Sequence, residues 1–198
     1  MAQTALLSAI ADVYFAEGRT AANHSAEALM APCVPQFSPQ PPCAFDQNIR
    51  DVLAGSPHPA AAAVLAGQHL LEWSGNAIAE GLDNAAASIS DVAVIVSPEG
   101  PIIAPDIRLG VFYQKPNSYY SLHNHDADET YVIIAGEALW TAGDDRRARG
   151  VGDYIHHPSL MPHAFHTGPE GIVALWRWSG DVNIHSYAFL EDPQAILA

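Results

Sequence analysis

The chain has few basic residues, few cysteines and no long apolar run. Only 8 of its 198 residues are lysine or arginine, against 22 acidic ones, which gives a formal net charge of −14. Neutralising phosphate groups requires a basic surface, so this composition argues against nucleic-acid binding and against an anionic membrane surface as a partner. The acidity still permits a small anionic ligand, because a bound metal ion reverses the charge locally.

Segments that would direct the chain into or across a membrane are also missing. No run of about 18 apolar residues occurs, so no transmembrane helix is predicted. Before Arg19 there is no basic residue, and Asp12 interrupts the short apolar stretch, which is unlike a secretory signal peptide. The two cysteines, Cys33 and Cys43, are expected to be reduced, although the sequence leaves open whether they pair. These features predict a cytoplasmic protein.

The hydrophobic pattern is helical before about residue 90. Apolar residues recur at helical spacing, and the segment between 32 and 42 contains too many prolines to be anything but a loop. At 49% hydrophobic residues the chain is able to bury a packed core. Helices are predicted over about 3–17, 22–30, 46–54 and from Pro59 to Trp73.

After residue 90 the pattern changes to short apolar segments separated by Gly, Pro, Asp and Asn, which is typical of strands. Many short strands at this spacing indicate a double-sheet jelly-roll barrel. We therefore predict a mainly β fold, in which a helical N-terminal extension (1–90) packs on a barrel (91–198). The expected strands are 91–97, 107–115, 129–135, 137–142, 151–155, 163–167, 171–179 and 183–190.

The residues best suited to bind a metal lie in the strand region, which holds seven of the ten histidines. In an extended segment His123 and His125 point to one face, and Glu129 and Tyr131 likewise share a face, because strand side chains alternate. Imidazole nitrogens and a carboxylate oxygen on one surface suit a divalent first-row metal. A further histidine, His163, could complete the site.

The spacing of these residues is more specific than their number. His-x-His, three residues, Glu, six residues and Gly136 resembles the first motif of the cupin superfamily, and Gly152, Pro158 and His163 resemble the second. At two positions where these motifs carry glycine, the chain has Asn117 and Leu160. The resemblance implies a cupin-like double-stranded β-helix barrel with one divalent metal ion inside it.

Beyond the two motifs, the whole chain resembles the cupin-type dimethylsulfoniopropionate lyases, most closely the DddQ group. The resemblance rests on the helical N-terminal part, the paired tyrosines before His-x-His and the Glu-x-Tyr element. It implies cleavage of a zwitterionic substrate, dimethylsulfoniopropionate, to dimethyl sulfide and acrylate. The implied metal ligands are His125, Glu129 and His163, with Tyr131 at the metal as the base. The implied substrate pocket consists of Tyr120, His123 and Trp178, of which Tyr120 and His123 are also candidate catalytic residues.

These residue types suit such an elimination. A metal cation near Tyr131 favours the phenolate, whose pKa is otherwise about 10, and aromatic faces such as those of Trp178 and Tyr120 attract a sulfonium cation. Ordinary core packing is an equally good interpretation of Trp176 and Trp178 from sequence alone. Tyr131 could likewise be a core tyrosine, and His123 could be a fourth metal ligand, as in a standard cupin.

Two other functions fit the same motifs. One is an oxygen-using cupin dioxygenase, and the other is a non-catalytic cupin that binds a small ligand. Mixed nitrogen and oxygen ligands accommodate Zn, Fe, Mn, Co or Ni, so the sequence does not select the metal. Edge strands and the apolar helical part are compatible with a homodimer.

Overall fold

The computed structural model describes residues 1–76 and 86–192 of the chain. The predicted helix from Pro59 ends before Trp73, because Trp73 is extended and forms a β-bridge with Ala93. His58 caps the start of that helix, since its Nδ1 accepts a hydrogen bond of 3.1 Å from the backbone N–H of Ala60. The helices are α1 (Ala2–Glu17), α2 (Thr20–Leu29), α3 (Asp46–Ala54), α4 (Pro59–Gly67), a 3₁₀ turn (Gln68–Leu70) and α5 (Ala86–Ile89).

Nine strands follow in the described residues. Two pairs of predicted strands are single long strands, β5 and β8, because the chain bends there without leaving the ladder. Three strands were not predicted, namely β2 (Ile102–Ile103), β4 (Tyr119–Asn124) and β6 (Asp145–Arg149). Of these, β6 is charged and lies at an edge, where an apolar pattern is not needed. The strands are β1 (Ser90–Ser97), β2 (Ile102–Ile103), β3 (Ile107–Gln114), β4 (Tyr119–Asn124), β5 (Asp128–Ala142), β6 (Asp145–Arg149), β7 (Tyr154–His157), β8 (His163–Ser179) and β9 (Ala188–Phe189).

The two long strands join two sheets into the predicted jelly-roll barrel. The first half of β5 lies between β7 and the second half of β8, which continues to β3, β1 and β2. The second half of β5 lies between β6 and the first half of β8, which continues to β4 and β9. The bend in β5 is at Gly136, which has φ +78°; a Cβ there would lie 2.0 Å from the carbonyl oxygen of Gly171. Only glycine fits this close approach.

We call the sheet formed by β7, β5, β8, β3, β1 and β2 the first sheet. Its side chains alternate between two faces, and each face contributes to a separate apolar core. Val132, Val173 and Leu175 point outward and pack with buried residues of α1 to α4 in one cluster. Tyr131 and Trp176, which neighbour them in the strands, point into the barrel and belong to the second cluster. The helices therefore cover the outer face of the sheet whose inner face lines the barrel.

A buried polar contact fixes α1 to that outer face. Arg177 donates a hydrogen bond of 2.8 Å to the Glu17 carboxylate and one of 3.0 Å to Thr130, and the side chains of Arg177 and Glu17 are 0% and 3% exposed. Tyr14 donates a hydrogen bond of 2.9 Å to the carbonyl oxygen of Trp176. None of the described helices is long and apolar enough to span a membrane.

Candidate metal centre

Three of the predicted residues converge where β4 meets β8. His123 is paired with His163 across these strands, and His125 follows directly after the end of β4. Ring nitrogens of the three histidines lie within 4.8 Å of one another, and all three residues are buried. Glu129 reaches the same place from β5, so the four residues form one cluster inside the barrel.

The hydrogen bonds of these histidines set which ring nitrogen faces the centre. In His123, His125 and His163, Nδ1 lies 2.8, 3.1 and 2.8 Å from the backbone carbonyl oxygen two residues away along the chain. A carbonyl oxygen only accepts, so Nδ1 carries the hydrogen and Nε2 of the neutral ring presents a lone pair. This is the tautomer that a metal ligand needs.

Two of these lone pairs have no hydrogen-bond partner among the described residues. Nε2 of His125 and of His163 are buried and unsatisfied, yet they lie 3.4 and 3.0 Å from Oε2 of Glu129. A lone pair facing a carboxylate is unfavourable unless a cation lies between them, because buried polar atoms need a partner. The residues present therefore fit a divalent metal ion.

Glu129 is ionised in this cluster. Burial raises the pKa of its carboxyl, but the surrounding histidines, His125 foremost, outweigh burial and hold the pKa well below its usual value. The other carboxylate oxygen, Oε1, accepts a hydrogen bond of 2.5 Å from Nε1 of Trp178. Oε1 is thus hydrogen-bonded to Trp178, whereas Oε2 faces His125 and His163.

A fourth buried histidine, His157, belongs to the centre and was not predicted. Its Nδ1 lies 3.1 Å from Oε2 of Glu129, to which it is paired in the β5–β7 ladder, and its Nε2 accepts a hydrogen bond of 2.9 Å from Trp140. Burial, followed by the neighbouring His163, lowers the pKa of His157 to about 3. Strand alternation is the signal that could have found it, since only one of His156 and His157 can point inward.

A small pocket beside the centre brings the other predicted residues together. Trp176 and Trp178 both face it and are 8% and 3% exposed. The indole N–H of Trp176 is buried without a partner among the described residues. The pocket is lined by Asn76, Val92, Phe112, Tyr120, Glu129, Tyr131, Trp176, Trp178 and Tyr187.

Tyr131 and the Glu129 carboxylate both line this pocket. The Tyr131 ring centroid is 6.1 Å from that of His157 and 5.1 Å from that of Trp140. Burial, and then the charge of Glu129, raise the pKa of the Tyr131 phenol well above 10. In the protein without a cation the residue is therefore a neutral phenol.

Tyr120 lines the pocket, whereas the predicted pocket residue His123, on the same strand β4, packs against Tyr120 and is not part of the lining. The ring of His123 lies 4.9 Å from Tyr120 and 4.9 Å from Tyr187. Burial, followed by His163, lowers the pKa of His123 well below 6.5, so its ring is neutral. The Tyr120 oxygen accepts a hydrogen bond of 2.9 Å from Asn76 and lies 3.0 Å from the Tyr187 hydroxyl. Asn76 and Tyr187 were not predicted, since both lie in irregular segments without a motif.

The two positions that depart from the cupin motifs keep the backbone of the expected glycines. Asn117 has φ +48° and Leu160 has φ +63°, both in the left-handed region that favours glycine. The turns that flank the metal centre therefore have the conformation that the motifs require. Asn tolerates it, whereas for leucine it is strained.

Comparison with known proteins agrees with this arrangement. A family model described as dimethylsulfoniopropionate lyase matches residues 35–174. Over 89 residues the chain is 37% identical to the dimethylsulfoniopropionate lyase DddQ of Ruegeria pomeroyi, and this match spans only 44% of either protein.

Two solved structures share the fold over nearly the full length. One is a chain from the crystal structures of the DMSP lyases RdDddP and RnDddQII, with a TM-score of 0.69, 22% identity, and coverage of 96% of this chain and 98% of that one. The other is the DMSP lyase DddQ from Ruegeria pomeroyi DSS-3, with a TM-score of 0.56, 24% identity, and coverage of 91% and 95%. The predicted fold, a cupin-like barrel with a helical N-terminal part, is confirmed.

Proposed function

The chain belongs to the dimethylsulfoniopropionate lyase family, and we propose that it cleaves dimethylsulfoniopropionate to dimethyl sulfide and acrylate by β-elimination at a divalent metal ion. The observation that carries the proposal is the pair of buried, unpartnered Nε2 atoms of His125 and His163 that face the Glu129 carboxylate beside an aromatic pocket.

His125, Glu129 and His163 would hold the metal, with Tyr131 next to them. When bound, a divalent ion supplies Lewis-acid stabilisation of the negative charge that develops on the substrate carboxylate. The ligand set of two imidazoles and a carboxylate is compatible with Zn, Fe, Mn, Co or Ni. A cation at this place also opposes the burial and the Glu129 charge that keep Tyr131 protonated.

Tyr131 acts as the base in this proposal. Its phenolate oxygen takes the proton from the carbon next to the substrate carboxylate, and the electrons of that C–H bond form the C=C bond of acrylate. The C–S bond breaks, and its electron pair leaves with sulfur as neutral dimethyl sulfide, so no acid catalyst is required. A positioned base of this kind contributes roughly a hundred- to ten-thousand-fold in rate.

The pocket aromatics hold the substrate cation. Trp178 and Tyr120 both line the pocket, and an aromatic face attracts a desolvated cation by roughly 0.5–2 kcal/mol. The ring of His123 contacts His163, a proposed ligand, and Tyr187, which lines the pocket. Its neutral ring is suited to orient substrate without repelling the sulfonium.

A turnover assay tests the proposal. Purified protein loaded with each candidate metal in turn is supplied with dimethylsulfoniopropionate, and volatile dimethyl sulfide and acrylate are measured with and without oxygen. Equal amounts of the two products, formed equally well without oxygen, are expected. Turnover that depends on oxygen would instead indicate a dioxygenase, and binding without turnover would indicate a non-catalytic cupin.

We also propose that residues 1–90 are a helical extension of a barrel formed by residues 91–198. Packing of α1 to α4 on the outer face of the first sheet and the buried pair Glu17–Arg177 support it. Residues 77–85 and 193–198 lie outside the described part of the chain.

A further inference from the structure

A chain of two hydrogen bonds connects the metal centre to the second half of β5. Trp140 donates to Nε2 of His157 at 2.9 Å, and Nδ1 of His157 lies 3.1 Å from Oε2 of Glu129. Trp140, His157 and Glu129 are 1%, 0% and 2% exposed, so water does not compete for these contacts.

The direction of both hydrogen bonds follows from the first donor. An indole N–H donates and never accepts, so Nε2 of His157 must be the unprotonated nitrogen of a neutral ring. The ring hydrogen is therefore on Nδ1 and is donated to the carboxylate oxygen of Glu129. Trp140 thus fixes the tautomer of His157, and this tautomer directs the Nδ1–H group of His157 to the Glu129 carboxylate.

This tautomer argues against His157 as a metal ligand. One of its ring nitrogens lies within 4.8 Å of ligand atoms of Glu129 and His163, close enough to share an ion with them. However, Nδ1 carries a hydrogen and Nε2 is occupied by Trp140, so neither nitrogen offers a lone pair. His125 and His163 differ, because their Nε2 atoms have no hydrogen-bond partner among the described residues.

We propose that Trp140 and His157 are positioning residues that hold the Glu129 carboxylate in the orientation required for metal binding. Trp178 holds Oε1 and His157 holds Oε2, so the carboxylate plane is fixed by one N–H donor on each oxygen. Partners of this kind typically change metal affinity by 10- to 100-fold when removed. The inference rests on the metal site of the proposed function and is independent of the substrate.

The structure offers a conservative variant for the test. The Trp140 ring is stacked on Phe165 at 4.0 Å between centroids, and His157 is stacked on His163 at 4.0 Å. Trp140→Phe keeps an aromatic ring in this stack and removes only the N–H donor and part of the ring. Trp73→Phe is the matched control, because its indole N–H has no partner among the described residues and the side chain packs on the helical core.

The affinity for Co²⁺ alone, titrated by its visible absorption, is the main measurement. Trp140→Phe and His157→Ala are expected to lower it by about 10- to 100-fold, whereas Trp73→Phe leaves it unchanged. His157→Asn retains an N–H donor near the Nδ1 position and is expected to recover most of the loss. The comparison of His157→Ala with His157→Asn tests the positioning role even if Trp140→Phe does not fold.

The tautomer is measured separately by ¹H–¹⁵N NMR of the Zn²⁺-loaded protein. The Nδ1–H form of His157 is expected in the wild-type protein. An Nε2–H form would overturn the inference, as would wild-type Co²⁺ affinity in both Trp140→Phe and His157→Ala. Complete loss of Co²⁺ binding in both His157→Ala and His157→Asn, with unchanged binding in Trp140→Phe, would identify His157 as a ligand. That result would also overturn the inference. Co²⁺ binding without dimethylsulfoniopropionate turnover would reject only the proposed reaction.

Discussion

Nε1 of Trp178 donates a hydrogen bond of 2.5 Å to Oε1 of Glu129, the residue directly opposite it in the β5–β8 ladder. The Trp178 ring also lies 4.3 Å from the ring of His125. A side chain that the sequence associates with the substrate cation is therefore also bound to the predicted metal ligands. The candidate metal centre and the aromatic pocket beside it share this residue.

Two substitutions of Trp178 separate its two contacts. Trp178→Phe keeps an aromatic face and deletes the N–H donor, so metal affinity is expected to fall about ten-fold. Trp178→Ala also deletes the aromatic face and is expected to lower kcat/KM by about a further ten-fold at saturating metal. Metal titrations and steady-state kinetics measure the two effects. Wild-type metal affinity in Trp178→Phe would show that the hydrogen bond does not matter for the ligand.

Alanine at any of His125, Glu129 or His163 is expected to reduce both metal content and turnover. Each substitution removes one of the three proposed metal-ligand atoms, and without the metal the remaining buried ligand groups lack a partner. Metal content measured by elemental analysis after dialysis tests this. His156→Ala is the control, because His156 is partly exposed and bonded to Asp128 outside the cluster. Full occupancy in a triple-alanine variant would reject the site.

The sequence predicted the fold because the barrel depends on local patterns. Apolar alternation and turn residues marked most strands, and helical periodicity marked α1 to α3 to within about two residues. The long strands β5 and β8 were each predicted as two, because Gly136 and the segment 168–171 have turn composition. Their strand pairing continues past a register shift, which is a tertiary property and is not visible in composition.

The site was predictable only where spacing encodes it. His125, Glu129 and His163 carry a motif, whereas His157 reaches Glu129 through strand pairing between distant segments. The hydrogen bond between Trp178 and Glu129 likewise depends on the register of β5 and β8. Leu160 departs from the motif in residue type, yet its φ of +63° retains the conformation of the expected glycine. The Leu160 side chain is exposed, and the turn is held by a backbone hydrogen bond of 2.9 Å from the Leu160 N–H to the carbonyl oxygen of His125.

The buried pair Glu17–Arg177 is expected to be important for stability. Glu17→Ala would leave the Arg177 guanidinium buried without its carboxylate, which typically costs about 3–5 kcal/mol. Glu99→Ala removes an ion pair with Arg108. Because the Glu99 side chain is 67% exposed, this substitution is expected to cost less than about 1 kcal/mol. Urea unfolding of both variants compares them. Equal losses would show that burial of the Glu17 contact is unimportant.

Stability of the metal-free protein is expected to decrease in mild acid. Burial is the main cause that lowers the pKa of His157, to about 3, and that of His123, well below 6.5. The unfolded chain binds protons on both residues near pH 6.5, whereas the native state does not. Stability is therefore lost as pH falls below about 6.5, and His157 alone accounts for about 2 kcal/mol of this loss at pH 5.

Urea unfolding at pH 7 and pH 5 measures this loss. His157→Asn does not titrate in this range, so its loss of stability between the two pH values is expected to be smaller than that of the wild-type protein. Stability that stays constant or rises on acidification would contradict the assignment of two neutral buried histidines.

Tyr131 provides the sharpest test of the mechanism. Tyr131→Phe keeps the ring, which packs against Phe112, Trp140 and Phe165, and deletes the phenolic oxygen. If this oxygen removes the substrate proton, turnover falls at least about a hundred-fold while fold and substrate binding persist. A tyrosine with only a packing role would tolerate the change with a modest loss of stability.

His123 is the rival base, since its neutral ring packs against Tyr120 and Tyr187, which line the pocket. Activity, metal content and substrate affinity are therefore measured for Tyr131→Phe and His123→Ala together. An active Tyr131→Phe beside an inactive, metal-loaded His123→Ala would assign the proton transfer to His123 and reject Tyr131 as the base.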